Sequence, residues 1–288
     1  MPERGAQSMR HALPNVIIIG AGKCGTTSLH TYLDLHPAIA MTREKELHFF
    51  ANPEVWQRGL DWYSSQFDAH APARGETSVK YTAWPKWKGV PERMASVVPE
   101  ARLLYVVRDP IQRILSSWVH RYSDADESRP IRDVLEVLEG NDYVERSRYY
   151  RQLEQYLPFY EKSRIHVISS EALRANRRDV LAETFDFLGV DPAFEAAGFD
   201  RIEHESRLKR RKGAVARALQ RLARTAPARV LTPAARRRIG YWVYRPLTRS
   251  FEPPTLDDRT CERLREFLAP DVARLREFTG RRFAEWSL

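Results

Sequence analysis

The chain has 288 residues, of which 43% are hydrophobic and 11% aromatic, and this content excludes a disordered chain. Its two cysteines, Cys24 and Cys261, exclude a disulfide framework and a cysteine-rich zinc cluster. The formal net charge of +9 favours anionic partners such as nucleotides, sulfated substrates, nucleic acid or a membrane surface, without selecting one.

The first predicted unit is a strand, a loop and a helix. Residues 15–20 (NVIIIG) are short, β-branched and bounded by Pro14 and Gly20, which predicts a buried strand. The following residues 25–28 (GTTS) open an amphipathic helix, which His36-Pro37 should end. The apolar positions of that helix are Leu29, Tyr32, Leu33 and Leu35.

Two more strands are predicted further along the chain, at residues 102–107 and 165–168. A helix beginning at Pro110 should follow the first of them, and a helix containing Tyr149, Leu153 and Leu157 should precede the second. Alternating strands and helices predict an α/β fold with a central parallel sheet flanked by helices on both faces. An amphipathic helix over residues 256–278, with a C-cap at Gly280, should end the chain.

We expect a single domain over residues 1–288, because no linker rich in glycine, serine or proline divides the chain. Residues 1–13 are predicted to be disordered, and they lack the apolar core of a signal peptide. Residues 205–250 are predicted to be basic and partly mobile, with twelve lysines or arginines between residues 207 and 238. The longest aliphatic run covers only residues 16–19, so we expect a cytoplasmic protein without a transmembrane segment.

The loop over residues 20–28 (GAGKCGTTS) has the composition of an anion cradle. Glycines let backbone N–H groups approach an anion, a helix N-terminus adds partial positive charge, and Lys23 adds a full one. It is not a Walker A loop, because Thr26 and not a lysine follows the second glycine, Gly25. The loop therefore predicts a single P-loop-like domain that binds phosphate or sulfate. A tight glycine turn with a solvated lysine is the alternative.

These motifs together resemble those of sulfotransferases that use 3′-phosphoadenosine 5′-phosphosulfate (PAPS). Residues 23–29 (KCGTTSL) match the family's K-x-G-T-T-x-L loop, and Arg108-Asp-Pro110 followed by Ser116 matches its second hallmark. Residues 45–50, 59–63 and 75–81 look like the branch that contains heparan sulfate sulfotransferases and bacterial relatives. The resemblance covers nearly the whole chain.

The resemblance implies a role for each matching residue in binding the nucleotide. Lys23 would contact the 5′-phosphosulfate and would also serve in catalysis, while Arg108 and Ser116 would bind the 3′-phosphate. An arginine fork suits phosphate, although an ordinary ion pair with Asp109 is the alternative for Arg108. The residues that would share the loop's anion contacts are Cys24, Gly25, Thr26, Thr27 and Ser28. The loop that would close over the nucleotide consists of Arg211, Lys212 and Gly213. A solvated run of charged residues is the alternative for these positions.

The general base is expected within residues 45–50 (KELHFF). Glu46 matches the catalytic glutamate of the heparan-type branch, and His48 is the other candidate. If the segment is extended, the two side chains point the same way. A surface ion pair is the alternative for Glu46, and a half-buried structural imidazole is the alternative for His48. The family often has a lysine where this chain has Thr77, and Lys80 is a candidate replacement.

The expected reaction is in-line transfer of a sulfuryl group from PAPS, without a metal, to a hydroxyl or amine of a glycan, lipid or small molecule. The product would be 3′-phosphoadenosine 5′-phosphate (PAP). A P-loop kinase using ATP and Mg²⁺ is the alternative, since residues 103–109 faintly resemble a Walker B strand. A protein that binds nucleic acid or a membrane surface through residues 207–238 is a distant third. We expect no nucleic-acid partner, and peripheral membrane contact stays open.

Overall fold

The computed structural model describes residues 12–200, 210–212 and 248–288. The predicted disorder of residues 1–11 and most of the predicted mobile segment 205–250 therefore lie outside the described residues. The helices and strands are, in chain order, β1 (Val16–Gly20), α1 (Thr26–Leu33), β2 (Ile39–Met41), α2 (Pro53–Trp56), α3 (Gly59–Ser64), β3 (Ala73–Thr77), α4 (Val90–Val97), β4 (Arg102–Val107), α5 (Pro110–Ser123), α6 (Ile131–Val134), α7 (Asp142–Glu145), α8 (Tyr149–Leu153), β5 (Ile165–Ser169), α9 (Ser170–Ala175), α10 (Arg177–Leu188), β6 (Arg210–Lys212), β7 (Thr248–Ser250) and α11 (Asp258–Thr279).

Five strands form one parallel sheet in the order β2-β3-β1-β4-β5. In the register of the central strands, Ile17 lies opposite Glu76 on β3 and Leu103 on β4. All five residues of β1 and the last five of β4 are buried, as expected for strands covered on both faces. The predicted parallel α/β fold is confirmed.

The sequence prediction missed two strands of this sheet, β2 and β3, as well as the short strands β6 and β7. Strand β3 reads ARGET, so it carries Arg74, Gly75 and Glu76 in place of the apolar run that marks a buried strand. It is buried because it pairs with β1 on one side and β2 on the other. A side chain at Gly75 would meet Met41 Sδ at 2.4 Å, so close packing explains the glycine.

Three predicted helices are present with adjusted ends. Helix α1 stops at Leu33, before Leu35, and α8 stops at Leu153, before Leu157. Helix α11 is longer than any other helix in the described ranges, and its predicted C-cap is confirmed because Gly280 has a left-handed φ of 68°. A side chain with an L configuration is disfavoured there, which is the physical reason for a glycine at this position.

The sheet has a topological switch point between β1 and β4. The chain leaves β1 toward β3 and β2, whereas it leaves β4 in the opposite direction toward β5. Ligands of open α/β sheets bind in the crevice that such a reversal leaves at the carboxyl ends of the strands. The loop after β1 and the turn at Arg108 both lie at this edge.

The C-terminal residues return to the same edge of the sheet. The backbone N–H of Ser287 donates to Asp109 Oδ2 at 2.6 Å, and Ser169 Oγ at the end of β5 donates to Glu285 Oε1 at 2.6 Å. The indole of Trp286 stacks on Phe283. Among the described helices, none is long and apolar enough to cross a membrane.

Candidate active site

Residues 20–28, which we call the phosphate loop, end at the exposed N-terminus of α1. Gly25 is the N-cap residue, with a left-handed φ of 96°, and no side chain caps the helix. The first N–H groups of a helix have no acceptor within the helix. Together with the hydroxyls of Thr26 and Thr27, these donors can bind an anion at the helix N-terminus.

The start of the phosphate loop has no room for a side chain at Gly20. A Cβ atom there would lie 1.9 Å from Thr82 Oγ1, and the φ of 155° is rare for residues with side chains. Thr82 Oγ1 donates to the carbonyl of Ile19 at 3.0 Å, so it cannot easily give way. The glycine therefore sets the path by which the chain leaves β1.

Arg113, on α5, holds the phosphate loop from inside the protein. Its side chain is almost completely buried, and its Nε donates to the carbonyl of Gly22 at 3.1 Å. Its Nη1 donates to the carbonyl of Tyr143 and to Ser147 Oγ. The sequence analysis overlooked Arg113, although a charged residue on the apolar side of a predicted helix is a signal that could have found it.

Two neighbouring loop residues have different surroundings. Lys23 is half-buried and has a left-handed φ of 75°. The thiol of Cys24 is buried in the core, 3.6 Å from the Tyr149 hydroxyl, and burial raises its pKa to about 11. The Cys24 N–H donates to the carbonyl of Ala21 within the loop. The thiol is therefore protonated and points away from the predicted nucleotide site.

Arg108 follows β4, and Ser116 is half-buried on α5. The two carboxylate oxygens of Asp109 accept the backbone N–H groups of Gln112 and Ser287. Asp109 is thus a helix N-cap, and no ion pair joins it to Arg108 among the described residues. The guanidinium of Arg108 lies near enough to Cys24 to lower the pKa of its thiol.

This role of Asp109 also bears on the kinase alternative. An aspartate that helps to hold Mg²⁺ needs carboxylate oxygens directed at the ion. Both oxygens of Asp109 are used by backbone donors instead. In the part of the chain that the structure describes, no group of three or more histidines, cysteines, aspartates and glutamates could hold a metal ion.

The predicted closing residues lie partly within the described ranges. Arg211 and Lys212 belong to β6, which pairs antiparallel with β7, and Gly213 lies outside the described residues. The backbone of β6 runs beside α5, the helix that carries Ser116. The strand with Arg211 therefore lies against the same helix that carries Ser116.

Residues 43–50, which we call the base segment, carry Glu46 in a partly exposed position. The Glu46 side chain is 31% exposed, and its Oε2 accepts the N–H of Val79 at 2.9 Å. Burial raises the pKa of Glu46, which the Val79 N–H, Lys45 and Lys80 partly offset. No described residue donates a hydrogen bond to Oε1. Glu46 can therefore accept a proton from a group that enters the site.

The base segment is not extended, so the condition under which the two side chains were expected to point the same way is not met. Glu46 and His48 have left-handed φ values of 63° and 57°. Such residues cost about 1–3 kcal/mol each and cluster at functional sites. The Nδ1 of His48 nevertheless lies 3.6 Å from Glu46 Oε2 and has no hydrogen-bond partner. Burial lowers the His48 pKa to about 4, so the imidazole is neutral at neutral pH.

A buried carboxylate supports the base segment from β3. Glu76 is completely buried, and it accepts hydrogen bonds from Tyr63, Tyr81 and Ser78 at 2.5, 2.9 and 2.9 Å. Burial raises its pKa to about 7. Ser78 Oγ also accepts the backbone N–H of His48 at 3.0 Å, which ties the network to the base segment. The sequence analysis gave Glu76 no role.

Lysines lie on two sides of Glu46. The ammonium of Lys45 donates to Thr27 Oγ1 at 2.6 Å, on the side of the phosphate loop. The ammonium of Lys80 lies 4.9 Å from the ring centroid of Trp87. Both lysines lower the pKa of Glu46.

A cavity of about 200 Å³ opens on the side of Lys80. Trp84 and Trp87 line it, together with polar side chains that include Glu92 and Gln155. These two tryptophans are partly accessible. Tyr63 is instead fully buried beside Glu76.

The sequence comparisons give one consistent result. Residues 13–231 match the model of a family described as the sulfotransferase domain. A bifunctional heparan sulfate N-deacetylase/N-sulfotransferase of Drosophila melanogaster is 27% identical over 213 residues, which are 64% of this chain and 20% of that protein. Heparan sulfate glucosamine 3-O-sulfotransferase 5 of Homo sapiens is 29% identical over 190 residues, which are 62% of this chain and 54% of that protein. The chain thus matches about a fifth to a half of these relatives' length.

A solved sulfotransferase structure superposes on nearly the whole chain. A sulfotransferase from Alicyclobacillus acidocaldarius superposes with a TM-score of 0.69 at 25% sequence identity. The match covers 96% of this chain and 100% of that one.

Proposed function

This chain belongs to the sulfotransferase domain family, and we propose that it transfers a sulfuryl group from PAPS to a hydroxyl or amine. The observation that carries the proposal is the position of Glu46. Its neighbour Lys45 is hydrogen-bonded to Thr27 of the phosphate loop, so a partly exposed carboxylate lies beside the proposed anion site. A general base next to an anion cradle is what transfer of an anionic group to a protic acceptor needs.

The donor groups of the site fit an anionic nucleotide. The N-terminus of α1, Lys23 and Arg108 all offer hydrogen-bond donors or positive charge at the carboxyl ends of β1 and β4. We assign the 5′-phosphosulfate to residues 23–28 and the 3′-phosphate to Arg108 and Ser116. Residues 211–213 would complete the 3′-phosphate site, because β6 runs beside α5.

Glu46 is the proposed general base. It takes the proton that the acceptor loses as its oxygen or nitrogen bonds to sulfur, and the electron pair of the broken sulfur–oxygen bond stays on the 5′-phosphate. Its raised pKa makes it a stronger base than an exposed glutamate. His48 lies beside the same carboxylate, with its Nδ1 3.6 Å from Glu46 Oε2, and is the other candidate for the base. When PAPS is bound, it supplies the activated sulfuryl group.

We place the acceptor in the cavity lined by Trp84 and Trp87. Lys80 contacts Trp87 and lowers the pKa of Glu46, so the cavity and the base share a neighbour. Aromatic faces with polar groups around them suit a sugar or another ring that carries a hydroxyl or an amine. The relatives that act on heparan sulfate support a glycan acceptor.

Nucleotide binding tests the donor. Calorimetry without Mg²⁺ should show PAP binding much more tightly than ADP, ATP or AMP, and Arg108→Ala should abolish that preference. The matched control is Arg132→Ala, since Arg132 is a largely exposed arginine that pairs only with Asp133. Preference for ATP with Mg²⁺ would contradict the proposal and support a kinase.

Variants of the base segment test the base. Glu46→Gln should lower the transfer rate by at least a hundredfold and leave PAP affinity within about twofold of the wild-type value, because only the proton acceptor is lost. Glu44→Gln is the control, since Glu44 is exposed in the same segment. A fully active Glu46→Gln protein would exclude Glu46 as the base.

A further inference from the structure

Position 77, at the end of β3, carries a threonine and therefore no positive charge. Thr77 is completely buried, and its Oγ1 lies 2.9 Å from Nδ1 of His30 on α1. The imidazole of His30 thus occupies the space next to position 77. Burial lowers its pKa to about 4, so it contributes no positive charge at neutral pH.

Lys45 brings a positive charge to this same place. Its ammonium is the second largest cause of the lowered His30 pKa, after burial, and it donates to Thr27 Oγ1 at 2.6 Å. Lys45, hydrogen-bonded to the first turn of α1, is therefore near His30, whose ring contacts Thr77 at the end of β3. Burial also lowers the pKa of Lys45 itself, which indicates that the ammonium has lost part of its hydration.

Lys80, the replacement suggested by the sequence, lies elsewhere. Its ammonium is over the ring of Trp87, on the side of the acceptor cavity. Lys45, in contrast, contacts the phosphate loop directly through Thr27. Of the two lysines beside Glu46, only Lys45 contacts the proposed anion site among the described residues.

We propose that Lys45 is a catalytic residue that contacts the transferring sulfuryl group, together with Lys23. This inference rests on the proposed function. As the acceptor bonds to sulfur and gives its proton to Glu46, the nonbridging oxygens of the sulfuryl group carry negative charge, and an ammonium beside them neutralises it and holds the group in line with the acceptor. A partly dehydrated ammonium fixed at this position stabilises that charge more than a solvated one does. Lys45 also keeps Glu46 ionised, since the lysine lowers the carboxyl pKa.

The first test compares PAP with PAPS, which differ only in the sulfuryl group. Lys45→Met should leave PAP affinity within about twofold of the wild-type value and lower the transfer rate by about a hundredfold, the typical effect of removing one such donor. Lys45→Arg keeps the charge and should recover part of the rate. Arg43→Met is the control, because it removes a charge from an exposed side chain of the same segment.

The second test does not depend on turnover. Modification of Lys45 by an amine-specific reagent, followed by mass spectrometry, should be slowed at least fivefold by saturating PAPS and much less by PAP. Equal protection by the two nucleotides would place Lys45 on a phosphate and overturn the proposal. A Lys45→Met protein that transfers at the wild-type rate, or that loses PAP affinity as well, would also overturn it.

Different results would overturn the proposed function and the role of Lys45. If the wild-type protein binds neither PAP nor PAPS, both are overturned. If it binds PAP and transfers sulfuryl groups, but Lys45→Met does so equally well, only the role of Lys45 is wrong. Thermal unfolding of each variant shows whether a loss of activity comes from loss of the fold.

Discussion

The phosphate loop and the base segment lie side by side, but they are held in place in different ways. The phosphate loop follows a buried strand and ends at a helix, and its sharp conformations fall largely on glycines such as Gly20 and Gly25. The base segment belongs to no helix or strand, and its left-handed residues are Glu46 and His48. Its conformation therefore has to be stabilised by contacts from outside.

Those contacts come mainly from β3 and the residues just after it. The N–H of Glu46 donates to the carbonyl of Thr77 at 2.8 Å, and the carboxylate of Glu46 accepts from Val79. Ser78 accepts from His48 and donates to Glu76. The proposed base is thus held by residues more than 25 positions away in the sequence, while its own segment has no regular structure.

The largest effect is expected from substitution of Arg113, which holds the phosphate loop in place. Arg113→Met should lower the free energy of unfolding by roughly 3–5 kcal/mol, because three buried acceptors lose a charged donor at about 1–3 kcal/mol each. PAP affinity should fall at least tenfold. Urea denaturation and calorimetry measure the two effects.

A matched arginine on the same helix provides the control. Arg121→Met removes an arginine that is 37% exposed and pairs with Asp142, so it should cost less than about 1 kcal/mol. Equal effects of the two substitutions would show that Arg113 has no particular role in holding the loop.

Glu76→Gln should damage the base segment and spare the phosphate loop. Glutamine keeps one oxygen acceptor but places an NH2 donor where the other oxygen accepts a hydroxyl, so at least one of the hydrogen bonds from Tyr63, Tyr81 and Ser78 is lost. The transfer rate should therefore fall more than tenfold while PAP affinity stays within about twofold. Stability at neutral pH should fall by about 2 kcal/mol. A parallel loss of PAP affinity would show that the two regions are not independently supported.

The same variant makes a prediction about pH. The pKa of Glu76 is raised from 4.5 to about 7 on folding, so the folded state binds more protons than the unfolded state between these values. The free energy of unfolding of the wild type, minus that of Glu76→Gln, should therefore decrease as the pH rises from about 4.5 to about 7. Urea denaturation of both proteins across this range measures it, and a constant difference would contradict the raised pKa.

The smallest expected effect comes from Ser78→Ala. It removes one link between Glu76 and the N–H of His48, so it should cost about 1–2 kcal/mol and lower the transfer rate a few-fold. Ser96→Ala is the control, because Ser96 is exposed and bonds only to the carbonyl of Arg93. A rate unchanged by Ser78→Ala would mean that the Glu46 contacts alone keep the base segment in place.

The sequence by itself determined the parts of the protein whose signals are local. The apolar runs of β1, β4 and β5, the glycines of the phosphate loop and the C-cap at Gly280 all report the conformation of their own neighbourhood, and each is present in the structure. The resemblance of residues 23–29 and 108–116 then pointed to the family. Glu46 and His48, the two candidate bases, lie side by side although their backbone is not extended.

Only the tertiary structure decided the contacts between distant segments. Strand β3 has no apolar pattern and is buried solely through its two neighbours in the sheet. Nothing near Arg113, Glu76 or Lys45 in the chain shows that they contact Gly22, Tyr63 and Thr27, respectively. Buried polar groups need partners, and the fold chooses those partners by bringing side chains together in space, which a local pattern does not encode.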